Sequence, residues 1–235
     1  MKIEIACNNL QSCINAWKGG ADRIELFENL HDGGCTPSFG LLKKVKELIP
    51  IPVYVMIRPR GGHFVYNEDE YEIMRSDINT CRVLAADGIV FGALNKKGQV
   101  DIELCKKLLE AWKHKPSTFH RAFDRSVDLD KSCTEIIDLG FERILTSGGQ
   151  KTVDEGKEKI KLLQENFGTK ISIMPGSGVT VNNAKMISEF CGTNEIHATC
   201  KSSFTENDIE SNPIFNDSYM QSDLKEIEGL RAVFL

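Results

Sequence analysis

Short apolar runs punctuate the chain, and the stretches between them carry apolar residues three or four positions apart. The runs predict strands at Ile3–Ala6, Arg23–Leu26, Val53–Ile57, Gly88–Phe91, Ser117–His120, Arg143–Thr146, Ile171–Met174 and Glu195–His197. The spacing of Leu41, Leu42, Val45 and Leu48, or of Ile160, Leu162, Leu163 and Phe167, is that of helices with one buried face. Strand and helix alternate without interruption, which predicts a parallel sheet joined by right-handed crossovers. Eight strands is the number that closes a (β/α)8 TIM barrel, an α/β fold; an open doubly wound sheet is the alternative.

A faint repeat favours closure. Gly20-Ala-Asp-Arg-Ile24, Ala86-Asp-Gly-Ile89, Gly140-Phe-Glu-Arg-Ile144 and Gly192-Thr-Asn-Glu-Ile196 each end a helix on a small residue and open a strand beside an acid. Asp22, Asp87, Glu142 and Glu195 thereby mark four βαβα units, which make eight strands. No proline- or serine-rich linker breaks the series, so a single domain over 1–235 is expected. Its strands and helices run to about 200, followed by a polar tail (Asn207 to Asp217) and a last helix over Leu224–Leu235.

Side chains alternate across a strand, so parity separates lumen from helix layer. Val53, Val55 and Ile57 suit the helix layer, leaving Tyr54, Met56 and Arg58 inward; Ile24 and Leu26 leave Arg23 and Glu25 inward. The same rule turns Glu4, Thr118, His120, Met174 and His197 into the lumen. Barrel interiors are ordinarily filled by Val, Ile and Leu, and burying several charges without function is expensive. Glu4, Glu25, Arg58, His120 and His197 are therefore candidate site residues. The alternative is a structural network, Glu4 or Glu25 paired with Arg58, with His120 as a satisfied core histidine.

Four strand endings add polar and glycine residues where α/β proteins hold ligands. They are Arg58-Pro-Arg60-Gly-Gly62, His120-Arg-Ala-Phe-Asp124, Thr146-Ser147-Gly148-Gly149 and Pro175-Gly176-Ser177-Gly178. The last two follow consecutive late strands, where barrels often bind anions, and Thr180 or Asn182 is positioned to cap the next helix. Arg58 and Arg60 offer fork-shaped donors to the same small anion.

Composition narrows the partners. The 235 residues carry a net charge of −5 without a basic cluster, which disfavours nucleic acid and anionic membrane. The opening Met-Lys-Ile-Glu-Ile reads as a strand with no export leader, and no run of about 18 apolar residues is present, so a cytoplasmic protein is expected. Eight cysteines form no Cys-x-x-Cys pair and are expected as reduced thiols; Cys81, Cys105, Cys133 and Cys191 sit among apolar residues as small buried hydrophobes.

Gly20-Ala-Asp-Arg-Ile-Glu-Leu26, Gly33-Gly34, Thr36-Pro-Ser38, Val55-Met-Ile-Arg-Pro-Arg-Gly-Gly62, Thr118-Phe-His-Arg-Ala-Phe-Asp124, Leu145-Thr-Ser-Gly148 and Met174-Pro-Gly-Ser-Gly178 together resemble the copper homeostasis protein CutC family from Ile3 to about His197. The resemblance implies a cytoplasmic (β/α)8 barrel, a homo-oligomer, and copper binding or handling with no settled catalytic activity. It also implies copper thiols at Cys7 and at the position after Leu26, which here is Phe27. His63 and Val65 stand where relatives often carry Asp and Cys. Soft Cu(I) prefers thiolates, and Cys200, just past the eighth strand, is the substitute candidate.

Two functions follow. One is copper binding through Cys7 and Cys200. The other is an enzyme acting on a small anionic molecule, with Glu25 or His120 as acid–base, Arg58 as electrostatic stabiliser and Asp124 as orienting residue. Arg60, Thr146, Ser147, Gly148, Gly176, Ser177, Gly178 and His197 would line its binding site. No nucleotide-binding loop is present, so no nucleotide cofactor is expected. A binding-only barrel in a larger assembly is a third, weaker reading.

Overall fold

Eight strands pair in parallel in the order β7-β6-β5-β4-β3-β2-β1-β8. They are β1 (Lys2–Cys7), β2 (Arg23–Leu26), β3 (Val53–Met56), β4 (Gly88–Phe91), β5 (Ser117–Phe119), β6 (Arg143–Thr146), β7 (Ser172–Pro175) and β8 (Glu195–Ala198). β7 lies against β8, so the sheet curls round into the expected barrel. The structure is a computed structural model and describes residues 1–113, 115–205 and 217–235; most of the expected polar tail lies outside the described residues. Among them the outer layer is α1 (Leu10–Lys18), α2 (Phe39–Leu48), α3 (Glu68–Val83), α4 (Ile102–Trp112), α5 (Leu129–Leu139), α6 (Val153–Phe167), α7 (Ala184–Cys191) and α8 (Leu224–Ala232).

The helices begin where local chemistry tells them to. Asn9, Ser38, Asp101, Asp128 and Asp223 each accept a first-turn amide hydrogen, and Asn67 and Thr152 form reciprocal capping boxes with Glu70 and Glu155. α7 departs from expectation. Neither Thr180 nor Asn182 caps it: Asn183 precedes the helix and accepts from the Thr180 amide instead, so the cap side chain ties down the loop rather than the helix.

Parity operates as expected along the strands. Ile3, Ile5, Ile24, Leu26, Val53, Val55, Ile89 and Phe91 form the fully buried layer beneath the helices, joined there by Cys81, Cys105, Cys133 and Cys191. Inside the barrel, Ala6, Phe27, Tyr54, Met56 and Val90 form a separate small apolar cluster. Its packing depends on Gly88, where a Cβ would lie 2.5 Å from the Tyr54 ring.

The repeated acids close the lower end of the barrel. Asp22 accepts from the Ile3 amide at 2.8 Å and Asp87 from the Val53 amide at 2.9 Å, joining each helix–strand turn to the preceding strand. Glu142 takes the Tyr54 hydroxyl at 2.6 Å, and Glu195 lies inside with Arg23 and Arg143, each 2.7 Å away. Arg23 also reaches Glu4, and Arg143 donates to Thr118. Part of the buried charge is thus structural, built from arginines on β2 and β6 rather than from Arg58.

An element absent from the sequence reading separates β8 from α8: an antiparallel hairpin of β9 (Lys201–Phe204) and β10 (Tyr219–Ser222). It is docked on α1 and β1 through Ser222, whose carbonyl accepts from Asn15, whose amide donates to Ser12 and whose hydroxyl donates to the Ala6 carbonyl.

Glu195→Gln should cost about 3–5 kcal/mol in urea unfolding, because two buried guanidinium groups lose their shared carboxylate. Adding Arg143→Met should recover part of that loss, as removing both partners relieves the uncompensated charge.

Candidate functional site

The carboxyl ends of the strands surround a cavity of about 890 Å³, within the size range of small-molecule sites. Of the sequence-predicted residues, Glu25, Arg58, His120, Asp124, Ser177, Gly178, His197 and Cys200 line it. Arg60, Thr146, Ser147, Gly148, Gly176 and Cys7 are not among its lining residues.

At its base stands a carboxylate–imidazole–carboxylate line across β1, β8 and β2. His197 Nδ1 meets Glu4 Oε1 at 2.7 Å, and His197 Nε2 faces Glu25 Oε2 at 3.6 Å. All three side chains are buried. Arg23 and His197 hold Glu4 far below the usual carboxylate range despite its burial. Glu25 has no such relief. Burial, reinforced by Glu4, pushes it up to about 7 against the pull of His197 and Arg23. The two carboxylates raise His197 above its ordinary value. Glu25 Oε1 has no hydrogen-bond partner.

His120 follows β5 and is also buried, between Phe64 at 4.9 Å and Phe119 at 6.2 Å between ring centroids. Gly92 leaves room for it, since a Cβ there would lie 2.7 Å from Nδ1. Burial, aided by the Arg58 charge, lowers its pKa to about 3, so the ring is neutral at physiological pH. The Ala122 amide donates to Nδ1 at 3.2 Å, which assigns the ring proton to Nε2. That N–H also lacks a partner.

The expected Arg58–Glu25 pair does not form. The loop through a short 3-10 helix (Leu30–Asp32) folds over the rim, and Arg58 donates to the carbonyls of Asp32 and Gly34, each at 2.7 Å, and of Gly62 at 2.9 Å. Three carbonyls in reach of one fork outcompete the carboxylate on the neighbouring strand. The alternative network that pairs Glu25 with Arg58 is corrected accordingly. Arg60 is bound to Glu70 at 2.5 Å and to the His63 carbonyl at 2.8 Å, so its fork does not serve the cavity.

The loop after β6 already holds an anion, the Asp124 carboxylate. It accepts from Thr146 Oγ1 at 2.5 Å, from the Ser147 amide at 3.1 Å and from the Gly149 amide at 3.0 Å. Gly148 donates to Thr146 Oγ1. These donors are committed internally, which corrects their expected role toward a ligand. Gly176 packs behind Leu145 and His197 rather than on the cavity.

Arg121, a cavity residue that the sequence reading passed over inside Phe-His-Arg-Ala-Phe-Asp, links the late loops. Its Nε meets Asp124 at 2.8 Å, Nη1 meets Ser177 Oγ at 3.0 Å, and Nη2 meets Ser147 Oγ at 2.7 Å. Its side chain is 39% exposed and half turned to the cavity. The available signal was its position between two selected residues, His120 and Asp124.

The two candidate thiols sit in different surroundings. Cys7 is fully buried in the sheet–helix layer beside Cys13 and Ser222, and burial raises its thiol pKa. Cys200 lies on the cavity wall near Glu226 and Asp223, with burial pushing it up to about 12. Among the described residues no group of three or more His, Cys, Asp and Glu could hold a metal ion. The Cys7–Cys200 pair does not fit a two-thiolate copper site; Cys7 and Cys13 are the thiols that meet.

Comparison with known proteins matches residues 1–202 to the CutC family. The chain is 46% identical over 200 residues to the human copper homeostasis protein cutC homolog, covering 85% of this chain and 73% of that protein. It is 40% identical over 233 residues to a CutC family protein of Xanthomonas campestris pv. campestris, covering 98% and 97%. The solved structure of a putative copper homeostasis protein CutC from Streptococcus agalactiae superposes with a TM-score of 0.81 at 38% identity, over 85% of this chain and 98% of that one. Thiamine phosphate pyrophosphorylase from Pyrococcus furiosus, at 14% identity, TM-score 0.62 and 99% and 94% coverage, shares the fold.

Because the folded value of Glu25, about 7, exceeds its ordinary 4.5, the folded state binds the extra proton between those values. Stability from this group is present below about pH 4.5 and is lost as pH rises through 7. Melting temperatures of the native chain, measured against Glu25→Gln across this window, should fall as pH rises.

Proposed function

The chain belongs to the CutC family, and we propose that it is an enzyme that transfers a proton on a small anionic molecule held in the barrel mouth. One observation carries this reading. Glu25 and His120 line the same cavity, each buried and each with a polar atom unpartnered by protein. Buried polar atoms are normally satisfied, so these two, with Arg58 Nε a third on the same cavity, mark a place kept for a ligand. Glu25, near 7, is matched to giving and taking a proton at neutral pH. His197, held by Glu4, fixes its orientation. Burial keeps His120 neutral, and Arg58 acts at one remove by reinforcing it. Asp124 orients Arg121, the guanidinium best located to meet an anion beside Ser177 and Gly178.

Copper handling is the second reading, supported by the names of the relatives and by the contact of Cys7 with Cys13. Two buried thiols with no further donor group suit at most weak Cu(I) binding. A competing chelator should therefore strip Cu(I) from the protein without revealing a tight one-to-one site.

The deciding experiment captures metabolites on the immobilised protein and follows them by mass spectrometry. The native chain should enrich and convert a small anion, Glu25→Gln should enrich it without conversion, and Arg121→Met should lose it. Enrichment of nothing beyond Arg121→Met, or a tight Cu(I) complex abolished by Cys7→Ser, would overturn the enzyme reading.

A further inference from the structure

Three residues on the cavity carry an unpartnered buried polar atom, Glu25, His120 and Arg58; the first two are chemically complementary, and their difference points to one kind of reaction. A carboxylate supplies a base. A neutral imidazole whose proton is fixed on Nε2 supplies a hydrogen-bond donor that does not protonate its neighbour. Resting on the acid–base reading above, we propose that the cavity enolises a small α-hydroxycarbonyl compound bearing an anionic tail, with Glu25 as the carbon base and His120 Nε2–H as the donor to the carbonyl oxygen.

The local geometry supports each role. His120 is fixed in its tautomer by the Ala122 amide, hemmed by Phe64 and Phe119, and given space by Gly92. An imidazolium here would lie next to the Arg58 charge without a carboxylate partner, so the neutral form prevails and acts as electrophile rather than as acid. Glu25 lines the same cavity with its Oε1 buried and unpartnered, while its other oxygen faces His197. Arg121 lines the same cavity, its guanidinium pinned by Asp124, Ser147 and Ser177, so that a tail is met by a cation ordered in advance. A base, a neutral donor and a cation are thus offered to one small molecule.

The steps balance without an added reagent. Ionised Glu25 removes the proton from the hydroxyl-bearing carbon next to the carbonyl, and the C–H electron pair becomes the new C=C bond. The carbonyl π pair moves onto oxygen, where His120 Nε2–H stabilises the charge. Return of the proton to the same carbon regenerates the compound. Return to the former carbonyl carbon, with the hydroxyl proton passing to the other oxygen, yields the isomer with its carbonyl shifted by one position.

The test is solvent exchange in D2O followed by 1H NMR. The native protein is incubated with a panel of dihydroxyacetone phosphate, ribose 5-phosphate and hydroxypyruvate, with uncharged dihydroxyacetone as control. Deuterium should enter next to the carbonyl of at least one charged compound, and the phosphate and carboxylate arms identify the tail. Exchange should vanish in Glu25→Gln, fall roughly 10²-fold in His120→Ala, and recover in part in His120→Gln, which restores a neutral N–H donor. Uncharged dihydroxyacetone should exchange more slowly. No exchange into any charged compound, or exchange unchanged in His120→Ala, would overturn the proposal. A parallel 13C titration of the Glu25 carboxyl separates the two levels. A panel member that raises the melting temperature with Glu25 titrating near 7, yet does not exchange, removes enolisation and leaves acid–base chemistry standing. A Glu25 that titrates below pH 5 removes both.

Discussion

Charge neutrality inside the barrel is the condition on which the rest of the molecule rests. Glu4 and Glu195 are confined with Arg23 and Arg143, which balance them, while Glu25 and His197 face each other above. Such a lumen replaces the aliphatic layers that ordinarily fill a barrel of this kind. Pairing is uneven by design of position. Glu195 and Glu4 touch guanidinium groups, whereas Glu25, one pleat higher on β2, is left with the imidazole. The lower carboxylates are thereby locked as ions and the upper one is free to titrate.

The loops at the mouth behave in the same spirit, supplying their own counter-groups. Asp124 fills the donor-rich turn after β6, and the carbonyls around Asp32, Gly34 and Gly62 enclose Arg58. A glycine-rich turn after a late strand is therefore not by itself a vacancy for ligand. What stays open is set by the remainder: Glu25, His120 and part of Arg121.

The architecture was legible because it depends on periodicity: β2, β4 and β6 match their expected bounds, and the other five strands differ by one residue at one or both ends. Inward parity also identified Glu25, His120 and His197, since period two along a strand is a rigid rule. Pairing was not legible. Whether Arg58 meets Glu25 or backbone carbonyls depends on how the loop through Leu30 returns across the rim, and no local pattern encodes that path. The same blindness hid Arg121, whose importance arises only when the loops after β5, β6 and β7 converge. The β9–β10 hairpin escaped because Lys201-Ser-Ser-Phe204 has no apolar alternation to announce a strand.

That hairpin lies at the edge of the family match. The match to the family ends at residue 202, one residue into β9's own span beyond its start, while the carboxylates, histidines and arginines of the interior all precede it. Cys200, Lys201 and Glu226, which belong to the segment around the hairpin, nonetheless contribute to the cavity wall. The hairpin strands pair with each other and are anchored to the barrel through Ser222 and through the Met220 carbonyl, which accepts from Asn8 and Asn9. A charged interior built by one part of the chain and a cavity wall completed by another is a construction in which the wall can change while the interior stays as it is.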